Sequence, residues 1–321
     1  MSTFSRILYA VKDTDPRRAA ATKKLAAMAI ASDASLELFH AISAPLFLPE
    51  RPDAVSLADL KRDTIDLHAL RLEKLAAPLR RRGLEVTCTV AWDHPAHEAI
   101  VRRAVETRAD LIIAQCHGAG DTHGTLRLTD WELVRNSPIP VLLLRDPRPY
   151  RRPKILAAVD PMHAHAKTGD LDENIVSGAR SLAAVLSGSL HVVHANHPPL
   201  MGLATESPFT LVDLLSAGHD AFRKFLRRGD LPARRGHLVE GDPATVIPSV
   251  AADLHARIVV MGAVSRSGLK SLFIGNTAER VLNKLDCDVL VVKPAGFRQR
   301  ISRERRAALV LAPAPPVAFA G

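Results

Sequence analysis

Arg6-Ile7-Leu8-Tyr9-Ala10-Val11-Lys12-Asp13 and Lys154-Ile155-Leu156-Ala157-Ala158-Val159-Asp160-Pro161 are two versions of one phrase, 148 positions apart. The offset returns at the far end, where Pro140-Val141-Leu142-Leu143-Leu144-Arg145 is answered by Asp288-Val289-Leu290-Val291-Val292-Lys293. Between those ends the register slips to 154, pairing Ser35-Leu36-Glu37-Leu38-Phe39-His40-Ala41 with Ser189-Leu190-His191-Val192-Val193-His194-Ala195. Segments 6–146 and 154–294 are therefore copies of one unit. A period this long marks duplicated domains, because short solenoid repeats cycle every ~20–50 residues. Function is to be sought in what one copy kept and the other lost.

Within each copy, short apolar runs alternate with amphipathic stretches. The pattern predicts strands at 6–11, 36–41, 85–91, 111–115 and 141–145, with helices at 17–31, 57–82, 96–108 and 130–136. The second copy repeats the order, with strands at 155–160, 190–195, 235–240, 258–261 and 289–293. Strands separated by helices build parallel βαβ units with right-handed crossovers. The expected fold class is α/β: two tandem, doubly wound parallel-sheet domains of five strands each, forming an intramolecular pseudo-dimer. If a gene fusion captured an ancestral twofold dimer, the terminal strands of both sheets should lie near the contact. In such sheets ligands bind at the carboxyl ends of the strands.

The length of 321 residues agrees with two domains. The expected division is domain one at 1–146, a linker at 147–153, domain two at 154–295, and a basic, then Pro/Ala-rich tail at 296–321 that should stay disordered. No apolar run approaches the ~20 residues of a membrane span, and the N-terminus leads straight into a strand, so a cytoplasmic protein is expected. Three scattered cysteines, Cys88, Cys116 and Cys287, support neither a disulfide framework nor a metal knuckle. The net charge of +9 sits in clusters such as Arg80-Arg81-Arg82 and Arg234-Arg235, at helix ends or in turns, without interleaved aromatics. That is a solvated surface, and neither a nucleic acid nor a membrane is expected as partner.

One segment of the second copy stands out: Val260-Met261-Gly262-Ala263-Val264-Ser265-Arg266-Ser267-Gly268, followed by Gly275-Asn276-Thr277 and an amphipathic run. Here a strand enters a Gly/Ser loop with basic residues, and a helix then opens. Glycines let backbone N–H groups approach an anion, and a helix N-terminus offers free donors to phosphate. The alternative on residues alone is that Asn276 or Thr277 is an ordinary N-cap.

At these residues the chain resembles the universal stress protein family, and its duplicated layout resembles the tandem, E-type members. Nucleotide-binding members carry Gly, two residues, Gly, nine residues, then Gly with Ser or Thr. Here Gly262, Ser265 and Gly275-Asn276-Thr277 keep that spacing with Ser and Asn as departures. Gly241-Asp242-Pro243 and the closing Cys287-Asp288-Val289-Leu290-Val291-Val292-Lys293-Pro294 extend the likeness, which covers nearly the whole chain before the tail. The resemblance implies ATP or a related adenine nucleotide as ligand, with no metal beyond magnesium accompanying it. It implies adenine and ribose near Asp160 and Val193, and phosphates held by the end of the strand at Met261 and Gly262 and by Arg266, Gly268, Gly275, Asn276 and Thr277.

The first copy has lost that cradle. Its equivalent stretch reads Gln115-Cys116-His117-Gly118, nine residues, then Leu128-Thr129. Lys12 stands where the second copy has Asp160, and Leu128 is expected to face the space a phosphate needs. His191 and His194, on one strand, should point to opposite faces and so make no metal site. No GxSxG elbow, Walker loop or Rossmann fingerprint is present, and no enzyme is expected, with weak ATP hydrolysis left open. The chain reads as a cytoplasmic tandem stress-response module that binds a nucleotide in domain two, with homodimer formation open. The alternative is a scaffold, ligand-free or holding an apolar ligand, that acts through protein contacts.

Overall fold

The computed structural model describes residues 4–15, 22–43, 46–47, 56–116, 128–146, 148–162, 170–197, 210–263, 275–297, 301 and 310–311. In the first copy, β1 (Arg6–Ala10), α1 (Thr22–Ser32), β2 (Ser35–Ile42) and β3 (Leu46–Phe47) are followed by α2 (Leu57–Arg80), β4 (Val86–Trp92), α3 (Ala96–Glu106), β5 (Leu111–Gln115), α4 (Leu128–Asn136) and β6 (Val141–Leu144). The second copy contributes β7 (Lys154–Ala158), α5 (Leu171–Val185), β8 (Ser189–Asn196), α6 (Leu211–Arg228), β9 (Gly236–Glu240), α7 (Pro243–Asp253), β10 (Ile258–Gly262), α8 (Asn276–Lys284) and β11 (Asp288–Val292). A last short strand, β12, spans Val310–Leu311.

Ten of these strands form one continuous sheet in the order β4-β2-β1-β5-β6-β11-β10-β7-β8-β9. Each half is parallel throughout, and the halves join antiparallel, with Val141, Leu142 and Leu143 opposite Val291, Leu290 and Val289. The terminal strands are therefore the contact itself, and a pseudo-twofold axis passes between Leu142 and Leu290. Central strands such as β5 and β10 are apolar almost end to end because helices cover both sheet faces. On one face α1, α2, α5 and α6 pack through Leu25, Leu72, Ile175 and Phe222. On the other, α3, α4, α7 and α8 pack through Val101, Leu133, Ile247 and Val281. Both cores draw on both copies, so the seam between the domains is hydrophobic interior.

The duplication extends to backbone details. Asp33 and Ser187, which follow α1 and α5, both take positive φ (51° and 50°), as do Arg108 and His255 (53° and 52°) after α3 and α7. Left-handed non-glycine residues are uncommon, and finding them at matching helix exits shows that the turns were copied too.

At the axis the symmetry breaks. Asp288, fully buried at the start of β11, accepts the backbone N–H groups of Arg145 (2.7 Å) and Asp146 (2.9 Å), the Tyr150 hydroxyl (2.5 Å) and the Lys24 ammonium. Lys24 lies on α1 of the first copy, Tyr150 lies in the linker, and Asp288 belongs to the second copy. One carboxylate thus gathers both domains and their connection. The position matching Lys24 on α5 is Gly178, where an added Cβ would come within 3.3 Å of Leu290 Cδ2. Even a Cβ is a tight fit there.

The tail departs from expectation at one place: Val310 and Leu311 pair in parallel with Leu46 and Phe47 in a separate two-stranded sheet. Among the described residues, no helix is long and apolar enough to cross a membrane.

Candidate functional site

The carboxyl ends of β7, β8 and β10, with the start of α8, carry the candidate site residues of the second copy. The strand β7 ends at Ala158, and the next residue, Val159, donates its N–H to the Val193 carbonyl at 3.0 Å. Asp160 follows at the sheet edge, its N–H donating to Asp172 Oδ1 at 3.1 Å. Its own carboxylate is unusual: Oδ2 is shut off from solvent and finds no hydrogen-bond partner among the described residues. Buried acceptors are normally satisfied, and each exception calls for an explanation.

The other expected contacts fall into three groups. Val193 and Met261 are buried in the core on the α7 and α8 face. Val193 sits inside β8 and not at its end, with its carbonyl committed to Val159. Gly262 closes β10, and a Cβ there would lie 2.6 Å from Leu171 Cδ2 and 2.9 Å from its Cγ. The first residue of α5 therefore already requires a glycine. Gly275 is the N-cap of α8, with φ 94° and ψ 124°, and makes no side-chain cap; Asn276 and Thr277 are the first two helical residues. Neither is the N-cap that their composition allowed, and Gly275 brings no side chain to cover the N–H groups opening the helix. Arg266 and Gly268, like Ser265, lie outside the described residues.

In the first copy the same place is filled from within. Tyr9 and Gln115 stand where the second copy has Ala157 and Gly262, and the Tyr9 hydroxyl donates to Gln115 Oε1 at 3.2 Å. Lys12, at the Asp160 position, pairs with Asp130, which is fully buried in the first turn of α4. Leu128 does not block this space: it is 75% exposed. The nine-residue count that set Leu128 against Gly275 is also one residue out. The buried faces match Asp130, Leu133 and Val134 to Ala278, Val281 and Leu282, so Leu128 answers Asn276. Strand pairing nevertheless matches β5 to β10 with an offset one shorter, since Val141 faces Ile112 and Val289 faces Val259. The second copy thus has one extra residue in the glycine loop, where nine-residue spacing cannot reveal it. The compensated exchange of Asp160 and Ala278 for Lys12 and Asp130 was the sequence signal that this miscount hid. Gly118 lies outside the described residues.

Histidines secure the loops beside both sites. His40 Nδ1 meets the Val11 carbonyl at 2.7 Å and His194 Nδ1 meets the Val159 carbonyl at 3.3 Å, the same contact in each copy. His40 also stacks on His68, whose Nδ1 lies 2.9 Å from Thr14 Oγ1. His191 faces away from His194 and pairs with His237 on the neighbouring strand at 3.0 Å. Among the described residues no three His, Cys, Asp or Glu side chains converge as a metal would need.

Burial holds His40, His68, His97, His191 and His237 below their ordinary 6.5. For a group whose folded pKa is depressed, the unfolded chain binds more protons, so stability rises with pH. The contribution of these five is complete above pH 6.5 and is lost as pH falls through that value and on through the folded ones. The Asp213 carboxylate, held below its ordinary 3.8 by the Thr210 hydroxyl and backbone N–H, titrates outside that window. The melting temperature is therefore expected to drop between pH 7.5 and 5.5 at constant ionic strength, and less so in a His40→Gln variant. A flat or rising profile would refute this assignment.

A continuous sheet of two doubly wound halves, joined through their last strands, defines a duplicated, tandem α/β protein. The chain belongs to the universal stress protein family, whose sequence model matches it twice, at residues 3–145 and 152–293. Universal stress protein E of Escherichia coli strain K12 is 31% identical over 223 residues, 67% of this chain and 71% of that protein. The universal stress protein E homolog of Haemophilus influenzae is 28% identical over 272 residues, 81% of this chain and 84% of that protein. Among solved structures, a protein of unknown function from Pseudomonas aeruginosa PAO1 is 30% identical, with TM-score 0.70, covering 91% of this chain and 93% of its own. A universal stress protein from Archaeoglobus fulgidus shares the fold at TM-score 0.61 with 13% identity, covering 90% of this chain and 98% of its own.

Proposed function

We propose that the second half of this tandem protein binds ATP or a related adenine nucleotide, and that the chain works without catalysis as a ligand-responsive module of the cytoplasmic stress response. The observation that carries this reading is Asp160 Oδ2, an acceptor buried beside the strand ends without a partner among the described residues. A ribose hydroxyl or an adenine amino group would supply the missing donor. In the same half, α8 opens on Gly275 with no side-chain cap, which suits a phosphate at the helix N-terminus. Arg266 and Gly268 would complete the phosphate contacts, and magnesium would arrive with the nucleotide. The first half, closed by Lys12–Asp130 and Tyr9–Gln115, takes no nucleotide in this reading.

A scaffold without ligand is the competing reading, and it is favoured by Leu171, whose packing alone accounts for Gly262. Native mass spectrometry of freshly purified protein, followed by calorimetric titration with ATP, separates the two and also reports the oligomeric state. One co-purifying mass of nucleotide size per chain, or a stoichiometry of one, is expected. No added mass, and no heat at millimolar ATP, would establish the scaffold.

A further inference from the structure

The first half contributes two arginines to the helix that opens the candidate site in the second. Arg145, directly after β6 and buried, donates from Nη1 to the Leu282 carbonyl at 2.5 Å. That carbonyl is among the last four of α8, which have no partner within the helix. Arg135, on α4, lies 3.6 Å from Glu279 in the first turn of α8 and is itself held by Glu132 at 2.6 Å. The backbone N–H of Arg145 is fixed by Asp288 Oδ1 at 2.7 Å, so a short polar chain runs from the interdomain carboxylate to the end of α8. Within its own half, α8 has Arg280 on Asp242 at 2.5 Å and the packing of Ala278, Val281 and Leu282.

The pseudo-twofold predicts the reciprocal contact, from Lys293 to the end of α4, and it is not made. Lys293 instead donates to Ala263 O, in its own half, at 2.7 Å, with its ammonium 4.7 Å from the Phe297 ring centre. Burial, followed by the nearby charge of Arg135, brings the Lys293 amine down to about 7, a weak cation for a helix end. The bracing therefore runs one way, from the half whose site is filled to the half whose site is open.

We infer that Arg145 is a positioning residue for the second half's site: it holds α8 by its far end, so that the helix N-terminus stays registered with the strand edges. This rests on the reading that the second half binds a nucleotide, and it gives the closed half a use beyond completing the sheet.

Arg145→Met, Arg145→Lys and Lys293→Met test it by two readouts on the full chain: ATP affinity, and amide hydrogen exchange of residues 276–284 without ligand. Arg145→Met is expected to weaken ATP by roughly tenfold to hundredfold, the worth of one charge-assisted hydrogen bond. It should raise exchange in α8 and leave α4 alone. Arg145→Lys should recover part of both, because one donor remains, and Lys293→Met, which frees the Ala263 carbonyl and touches no part of α8, should leave α8 exchange unchanged. Urea unfolding of each variant separates these effects from a loss of global stability. Unchanged α8 exchange in a folded Arg145→Met protein, or an equal rise of α8 exchange in Arg145→Met and Lys293→Met, would overturn the inference. A wild type that binds no ATP, with α8 exchange still rising in Arg145→Met, would overturn the nucleotide reading and keep Arg145 as the brace.

Discussion

Asp288→Ala is expected to cost the fold about 3–5 kcal/mol, the usual penalty for removing one partner of a buried ion pair. The substitution strands the Lys24 ammonium, which has no solvent to turn to, together with the N–H groups of Arg145 and Asp146 and the Tyr150 hydroxyl. Burial, and then the carboxylate beside it, raise the Tyr150 phenol well above its ordinary pKa, so it stays a donor. Lys24→Met should be milder, since Asp288 would still hold three donors and a methionine can fill the same channel. The order of the two variants is the informative outcome. Both halves share one sheet and two cores, so urea should unfold the chain in a single transition whose midpoint falls further for Asp288→Ala. Against a typical total of about 5–15 kcal/mol, the alanine variant can fall below the threshold for accumulation. Asp288→Asn, which retains one acceptor oxygen, then supplies the measurement. Equal midpoints for Asp288→Ala and the wild type would mean that the network adds nothing.

Much of the architecture could be read because the chain states it twice. Apolar runs of four or five residues, buried on both faces, announce themselves in β1, β5, β7 and β10, and the repeat fixes their order. That β6 and β11 lie at the contact followed from the logic of a fused twofold dimer; that they pair into one continuous sheet did not. The asymmetry of the contact could not be foreseen. Lys24 sits beside Lys23 in a stretch that reads as a wet helix surface, and only the packed structure shows it opposite Asp288, whose counterpart in the first copy is Pro140. The site was legible in its glycines and less so in its register. A one-residue difference in the loop before α8 hid the match of Asp130 to Ala278, and with it the ion pair that fills the first copy. Arg145 was equally hidden: on a strand end, the sequence cannot say which helix the guanidinium will cap.

Gly275→Val is expected to abolish nucleotide binding in the second half, lowering ATP affinity at least ~100-fold, about 2.7 kcal/mol. At φ 94° and ψ 124°, Gly275 occupies backbone space that a β-branched residue reaches only with strain. Holding valine there costs on the order of 1–3 kcal/mol, which the start of α8 can relieve by turning away from the strand edges. Either response, strain kept or helix shifted, removes the uncapped N–H groups from the place a phosphate would take. The buried face of α8, Ala278, Val281 and Leu282, lies beyond Gly275, so the domain should remain folded. Changes in the first copy provide the contrast. Leu128→Ala, at an exposed side chain, and an enlargement of Gly118 should each leave ATP affinity within twofold, because Lys12–Asp130 and Tyr9–Gln115 already fill that half. Calorimetric titration of the four proteins decides between one site and two. If the first-copy changes weaken ATP as much as Gly275→Val does, both halves contribute to binding, and the Lys12–Asp130 pair is no plug but part of the site.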